Sequence, residues 1–138
     1  HAARDLWRQA GECYAQALAI KPEYHEANNN RAAALVHESQ AIKDSVPDEA
    51  NALLAEAERI LLQAEIGAPG SAAYNLACVA ALSGKVDDCI SWLTASRTAK
   101  KLPTAYQLRE DVDLALVRDT PEFSAWWVET FGRDEPIR

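Results

Sequence analysis

Apolar residues recur along this chain at steps of three and four positions. Leu6, Trp7, Ala10, Tyr14, Ala17 and Leu18 share one face of a helix predicted over residues 4–20. Pro22 ends it, because proline lacks the amide donor and disfavours helix for the residue before it. A second helix is predicted over 26–40, with Ala27, Ala34, Leu35, Ala41 and Ile42 as apolar marks. Its centre, Asn28-Asn29-Asn30-Arg31, is polar. Asn is a poor interior helix former, so three in a row point to a role beyond propensity. Pro47 then suits a first helical position, and Asp48 and Glu49 suit the positive end of a helix. The third helix, over 48–66, carries a broad stripe of Leu53, Leu54, Ala57, Ile60, Leu61 and Ala64, and Gly67-Ala68-Pro69-Gly70 closes it. Small apolar residues fill a fourth helix over 71–82, and Ser83-Gly84-Lys85 makes a tight connection. The fifth, over 86–100, turns Val86, Cys89, Ile90, Leu93 and Ala95 inward. Pro103 restarts the chain, and Asp111 caps a short helix. Thr120-Pro121-Glu122 starts the last helix over 121–131, which Gly132 ends. The polar tail, 133–138, is expected to be loose. No alternating run long enough for a strand occurs, so the fold class is all-α.

Composition narrows this picture. With 138 residues, 49% hydrophobic and 25% charged, the chain fits one globular domain with a sizeable core. Only 5 Gly and 6 Pro punctuate it, which favours long helices over many short strands. A net charge of −7 speaks against nucleic acid as a partner. No apolar run approaches the roughly 18 residues of a membrane span, so a membrane is not an expected partner either. The three cysteines, Cys13, Cys78 and Cys89, are odd in number and lack a pairing pattern. They read as buried core residues of a reducing compartment, which places the protein in the cytoplasm. The chain starts at His1 and contains no Met, so an upstream segment is expected to be missing.

Repetition sharpens the fold. Trp7, Ala10, Tyr14, Ala17 and Pro22 are followed by Pro22-Glu23-Tyr24-His25-Glu26-Ala27-Asn28-Asn29. The same offsets recur in Leu54, Ala57, Leu61, Ala64 and Pro69, and again in Val86, Cys89, Leu93 and Ser96. Tyr74-Asn75-Leu76-Ala77 followed by Gly84 has the form of a repeat's first helix and turn. This pattern resembles the tetratricopeptide repeat (TPR) family, in which small residues let paired helices approach and large ones fill the gaps between repeats. The resemblance covers residues 5 to about 127. It implies a right-handed α-solenoid of antiparallel helix pairs, about two and a half repeats plus C-terminal capping helices. The units would be 1–22 (second helix of a partial repeat), 23–69 (an extended repeat), 70–102 (a repeat), 103–132 (a cap) and 133–138 (the tail). The first helix then lacks its partner, and Leu35 to Ala57 must absorb about 13 residues beyond the family's period of about 34. The cap, from Arg109-Glu110-Asp111-Val112-Asp113 to Phe123, is similar to the segment after the last repeat in many bacterial members. Its acids are read as suiting helix starts and solvent.

No catalytic constellation stands out. His37-Glu38 lacks a second His four residues on, Cys78 and Cys89 are too far apart for a zinc knuckle, and Ser83-Gly84-Lys85 is not a phosphate loop. Asp87-Asp88 complements a helix dipole. No catalytic residue, metal or cofactor is therefore expected. The resemblance implies instead a concave groove that binds a peptide or protein, as an adaptor, scaffold or chaperone-like module. Carried over position by position, Asn29, Asn30, Ala33, Val36 and His37 would line it from one repeat. Ser71, Tyr74, Asn75, Cys78 and Leu82 would line it from the next. Asn30 and Asn75 hold equivalent places, and a side-chain amide can pair bidentately with a peptide backbone. Chaperone-binding members need Lys and Arg beside these asparagines. The groove positions have neither, which leaves Lys100, Lys101 and Arg109 as the nearest sources of charge. Two alternatives stay open: a homo-oligomerisation module, through the first helix or the Trp126/Trp127 pair, and a regulatory segment of a larger enzyme.

Overall fold

The computed structural model describes residues 4–12 and 25–138. Residues 4–12 are helical (α1). They are followed by α2 (His25–Ile42), α3 (Pro47–Gly67), α4 (Ala73–Leu82), α5 (Val86–Thr98), α6 (Ala105–Glu110), a 3-10 turn (Val112–Leu114), α7 (Ala115–Arg118) and α8 (Pro121–Phe131). There is no strand among the described residues. Tyr14, Ala17, Leu18 and Pro22, with Cys13, fall outside them.

Two helical hairpins form the body. The first is α2 with α3, turned by Ser45 and Val46, whose amides both donate to the Ile42 carbonyl. At the far end His25 lies against Gly67, where a Cβ would meet the imidazole at 2.4 Å, so the helices run antiparallel. The extra residues expected between Leu35 and Ala57 lie in the helices themselves, which are 18 and 21 residues long, and not in a protruding loop. The second hairpin is α4 with α5. Gly84 turns it at φ +75°, and Lys85 N donates to the Ala80 carbonyl. Its open end closes where Gly70 touches Ala99. A Cβ on Gly70 would lie 2.3 Å from that of Ala99, and Gly70 itself has φ +88°.

The repeated offsets mark buried faces. Leu54, Ala57, Leu61 and Ala64 are buried, as are Cys89, Leu93 and Ser96. Between the hairpins, α4 is enclosed almost all round. Leu76 and Val79 join a cluster with Ala57, Ile60 and Leu61 of α3, whereas Ala77, Cys78, Ala80 and Ala81 join one with Leu93, Leu108, Leu114, Phe123 and Trp127. The 3-10 turn and α7 pack on α4, and α8 packs on α5.

Four details differ from expectation. First, α4 begins at Ala73 and not at residue 71, because the Glu65 carboxylate takes the Gly70 and Ala72 amides at 2.6 and 3.0 Å and wraps the chain round the end of α3. Second, α5 stops at Thr98, where Lys100 turns left-handed and Lys101 N bonds the Ser96 carbonyl. Third, α6 was not foreseen, although Thr104 and Gln107 form a reciprocal capping box. Fourth, the tail is tied down. Arg109 holds the Glu135 carboxylate and the Pro136 carbonyl, Trp127 Nε1 donates to the Glu135 carbonyl, and Ile137 packs on the core. The Trp pair packs in the core: Trp126 and Trp127 are 4% and 1% exposed, so the alternative of a contact to another copy through them finds no exposed surface. No helix among the described residues is long and apolar enough to cross a membrane.

Candidate functional site

The first helices of the two hairpins, α2 and α4, face each other across a cleft of about 160 Å³. Ala33, Val36 and His37 line it from α2, and Tyr74, Asn75 and Cys78 from α4. Helical periodicity accounts for the set: steps of three and four put each trio on one stripe. Leu61 forms part of the floor, and Asp111 and Asp113 close one side. His37 is further oriented by stacking on Trp7 of α1, with ring centroids 5.6 Å apart.

The expected groove residues divide. Ala33, Val36, His37, Tyr74, Asn75 and Cys78 come together. Asn29 does not join them. It sits half-buried, and its amide nitrogen donates to the Ser71 carbonyl at 3.2 Å, bridging α2 to the α3–α4 connection. Its role is thus internal. Asn30 is exposed on α2 outside the cleft lining, and Ser71 reaches back to the Ala64 carbonyl. Leu82 lines a second, larger depression of about 560 Å³, which meets the cleft at His37 and Asp113. Arg109, expected as a source of charge, is spent on the tail.

Asp111 and Asp113 were the residues missed as site-formers. Asp111 was recognised as a helix cap, and it is one: Oδ1 accepts the Asp113 amide at 3.0 Å. Its other oxygen, however, accepts a hydrogen bond from the Tyr74 hydroxyl and lies 3.8 Å from Cys78 Sγ. The acids therefore face α4 and not open solvent. The signal lay in the logic of the cap itself. A segment that must cover the apolar face of the last hairpin brings its polar turn against that helix too.

Electrostatics follow from burial beside like charge. Burial, then Cys78 and Asp111, push the Tyr74 phenol well above its ordinary range, so it stays a donor. Burial, then Asp111 and Asp113, push the Cys78 thiol up, so it is no nucleophile at neutral pH. Burial and Asp111 raise the Asp113 carboxyl, and His37 partly offsets them. Arg118 donates to the Leu108 and Asp111 backbone carbonyls and not to either carboxylate. Ligating atoms of Cys78, Asp111 and Asp113 lie within 4.8 Å of one another, a juxtaposition that spacing alone did not suggest. In the structure both Asp111 oxygens already accept protein donors.

Asn75 stands apart in this polar wall. It is half-buried and, among the described residues, its amide makes no hydrogen bond, so both donor and acceptor remain open to the cleft. No family model, curated protein or solved structure matches this chain.

Proposed function

We propose that this chain is a non-catalytic protein-binding module of the TPR kind, which takes an extended peptide across the cleft between α2 and α4. The observation that carries this reading is Asn75: an unengaged side-chain amide on the wall of a preformed cleft, on the first helix of a hairpin. An extended peptide presents a donor and an acceptor to such an amide, and a preformed site lowers the ordering cost of binding. The TPR-like offsets of residues 54–64 and 86–96, all on helices paired in hairpins, support the solenoid reading. Thiol and phenol both held protonated suit binding better than nucleophilic chemistry.

A display selection with random short peptides, run on wild type and on Asn75→Ala, tests this. Retained peptides should lose about tenfold in affinity on the substitution, about 1.4 kcal/mol. Equal retention by an Asn75→Ala variant with unchanged circular dichroism would remove this residue, and the reading resting on it.

A further inference from the structure

The cleft does not end at Asp113. It runs on into the larger depression, with His37 and Asp113 at the border. Beyond that border an apolar strip is formed by Leu54 of α3, Leu82 of α4, Val112 of the 3-10 turn and Leu116 of α7, with Gln40, Lys43 and Asn51 elsewhere on the lining. Val112 and Leu116 are 80% and 69% exposed, an unusual cost for aliphatic side chains set side by side. The groove thus has an acidic throat and a greasy shelf.

Among the described residues no Lys or Arg lines the cleft, and His37 alone offsets the two carboxylates of the throat. Asp113 is half-buried, and its carboxylate accepts no hydrogen bond among the described residues. Facing it are Asp111 from its own turn and His37 from α2, while α4 offers only Tyr74, Asn75 and Cys78. Leu54, Leu61 and Asn51 of α3 add no charge, and Lys43 sits on the lining of the larger depression rather than the cleft. Burial, then Asp111, raises the Asp113 carboxyl, and His37 offsets this only in part. The net charge of −7 over the whole chain works in the same direction.

We infer that the groove selects a peptide carrying a Lys or Arg flanked by aliphatic residues, the cationic head seated between Asp111 and Asp113 and the aliphatic side chains on Leu82, Val112 and Leu116. This rests on the peptide-binding reading and specifies its ligand. A cleft of about 160 Å³ admits one long side chain and no folded element. The stem of Lys or Arg lies along apolar wall while its head reaches charge, which matches the order of surfaces met along the groove. An acidic peptide meets two carboxylates and is excluded.

The test is a library of short acetylated and amidated peptides, with Lys, Arg, Gln, Glu or Leu fixed at the centre and Leu, Val, Ala and Ser mixed at the flanks. It is run at neutral pH with EDTA. Wild type should retain Lys- and Arg-centred members about tenfold better than Gln-centred ones, about 1.4 kcal/mol. Asp113→Asn should abolish that preference, and Asp111→Asn serves as a second variant should the first fail to fold. Leu116→Ser should weaken all members and leave the preference intact. Peptides retained with no basic preference overturn the inference but leave the peptide-binding reading standing. A library retained by nothing removes both. A preference that survives both acid substitutions, or one that needs added zinc ions, also overturns the inference.

Discussion

Gly70 shows how much one residue decides here. Its φ of +88° disfavours any side chain, and the space where a Cβ would go is held by Ala99. Gly84 has a similar φ of +75° but nothing within 4 Å of the same point. Gly70→Ala should therefore cost more than Gly84→Ala: about 2–4 kcal/mol against about 1, since overpacking adds to backbone strain. Urea denaturation of the two variants measures the difference. Asp113 gives a second residue-level prediction. Its carboxyl is raised in the fold, so above that raised value both states are ionised but only the native state bears a penalty for the buried charge. As pH falls through the raised value toward the ordinary carboxylate value of about 3.9, the native state binds the proton first and the penalty fades. Asp113→Asn should then stabilise the protein at pH 7, with a gain that shrinks steadily on acidification. Glu56, held low chiefly by its hydrogen bond to Arg59, has the opposite pH trend but is common to both proteins and cancels. A gain unchanged between pH 7 and pH 4 would contradict the assignment.

Elements owe their boundaries to single interactions at their ends. Lys100 is a case in point: it takes φ 61° just past α5 while Lys101 N reaches the Ser96 carbonyl. Glycine is the residue suited to that conformation, and α4 uses one, Gly84, for the same closing bond from Lys85 to Ala80. Lys100→Gly should raise stability by about 0.5–1 kcal/mol, read as a higher urea midpoint with an unchanged slope. This site also explains a boundary that the sequence concealed. Without Gly or Pro at 99–101, the periodic pattern ran on to residue 100. The missed α6 has the converse cause: its Thr104/Gln107 capping box was present, but six residues are too short for periodicity to register. By contrast, Thr120 and Pro121 announced α8 in full, because cap and first turn are local.

At the scale of the whole molecule, α4 is the shared wall. Leu76 and Val79 belong to the cluster of the first hairpin, while their neighbours belong to that of the second and the C-terminal helices. Leu76→Ala should cost about 2–5 kcal/mol, as expected for a fully buried leucine. It should also loosen the coupling between the halves, broadening the thermal transition more than Leu93→Ala, whose site lies wholly within the second cluster. Calorimetry of the pair compares the widths; equal sharp transitions would argue for one undivided core.

Most of the helices and their buried stripes are legible from order alone, whereas the six cleft residues are expected only through the resemblance, carried over position by position. Steps of three and four, caps and prolines are local facts, and a stripe buried on one helix stays on one face of it. Tertiary structure decided what those stripes meet. Asn29 and Asn75 look alike in sequence, yet one is consumed by the Ser71 carbonyl and the other faces open cleft. Asp111 and Asp113 read as helix-start acids until the C-terminal segment folds back on α4, and the tail reads as loose until Trp127 and Arg109 hold it. Most of these outcomes depend on contacts between residues 26 to 42 positions apart, set by how whole helices pack, and no local pattern encodes that distance.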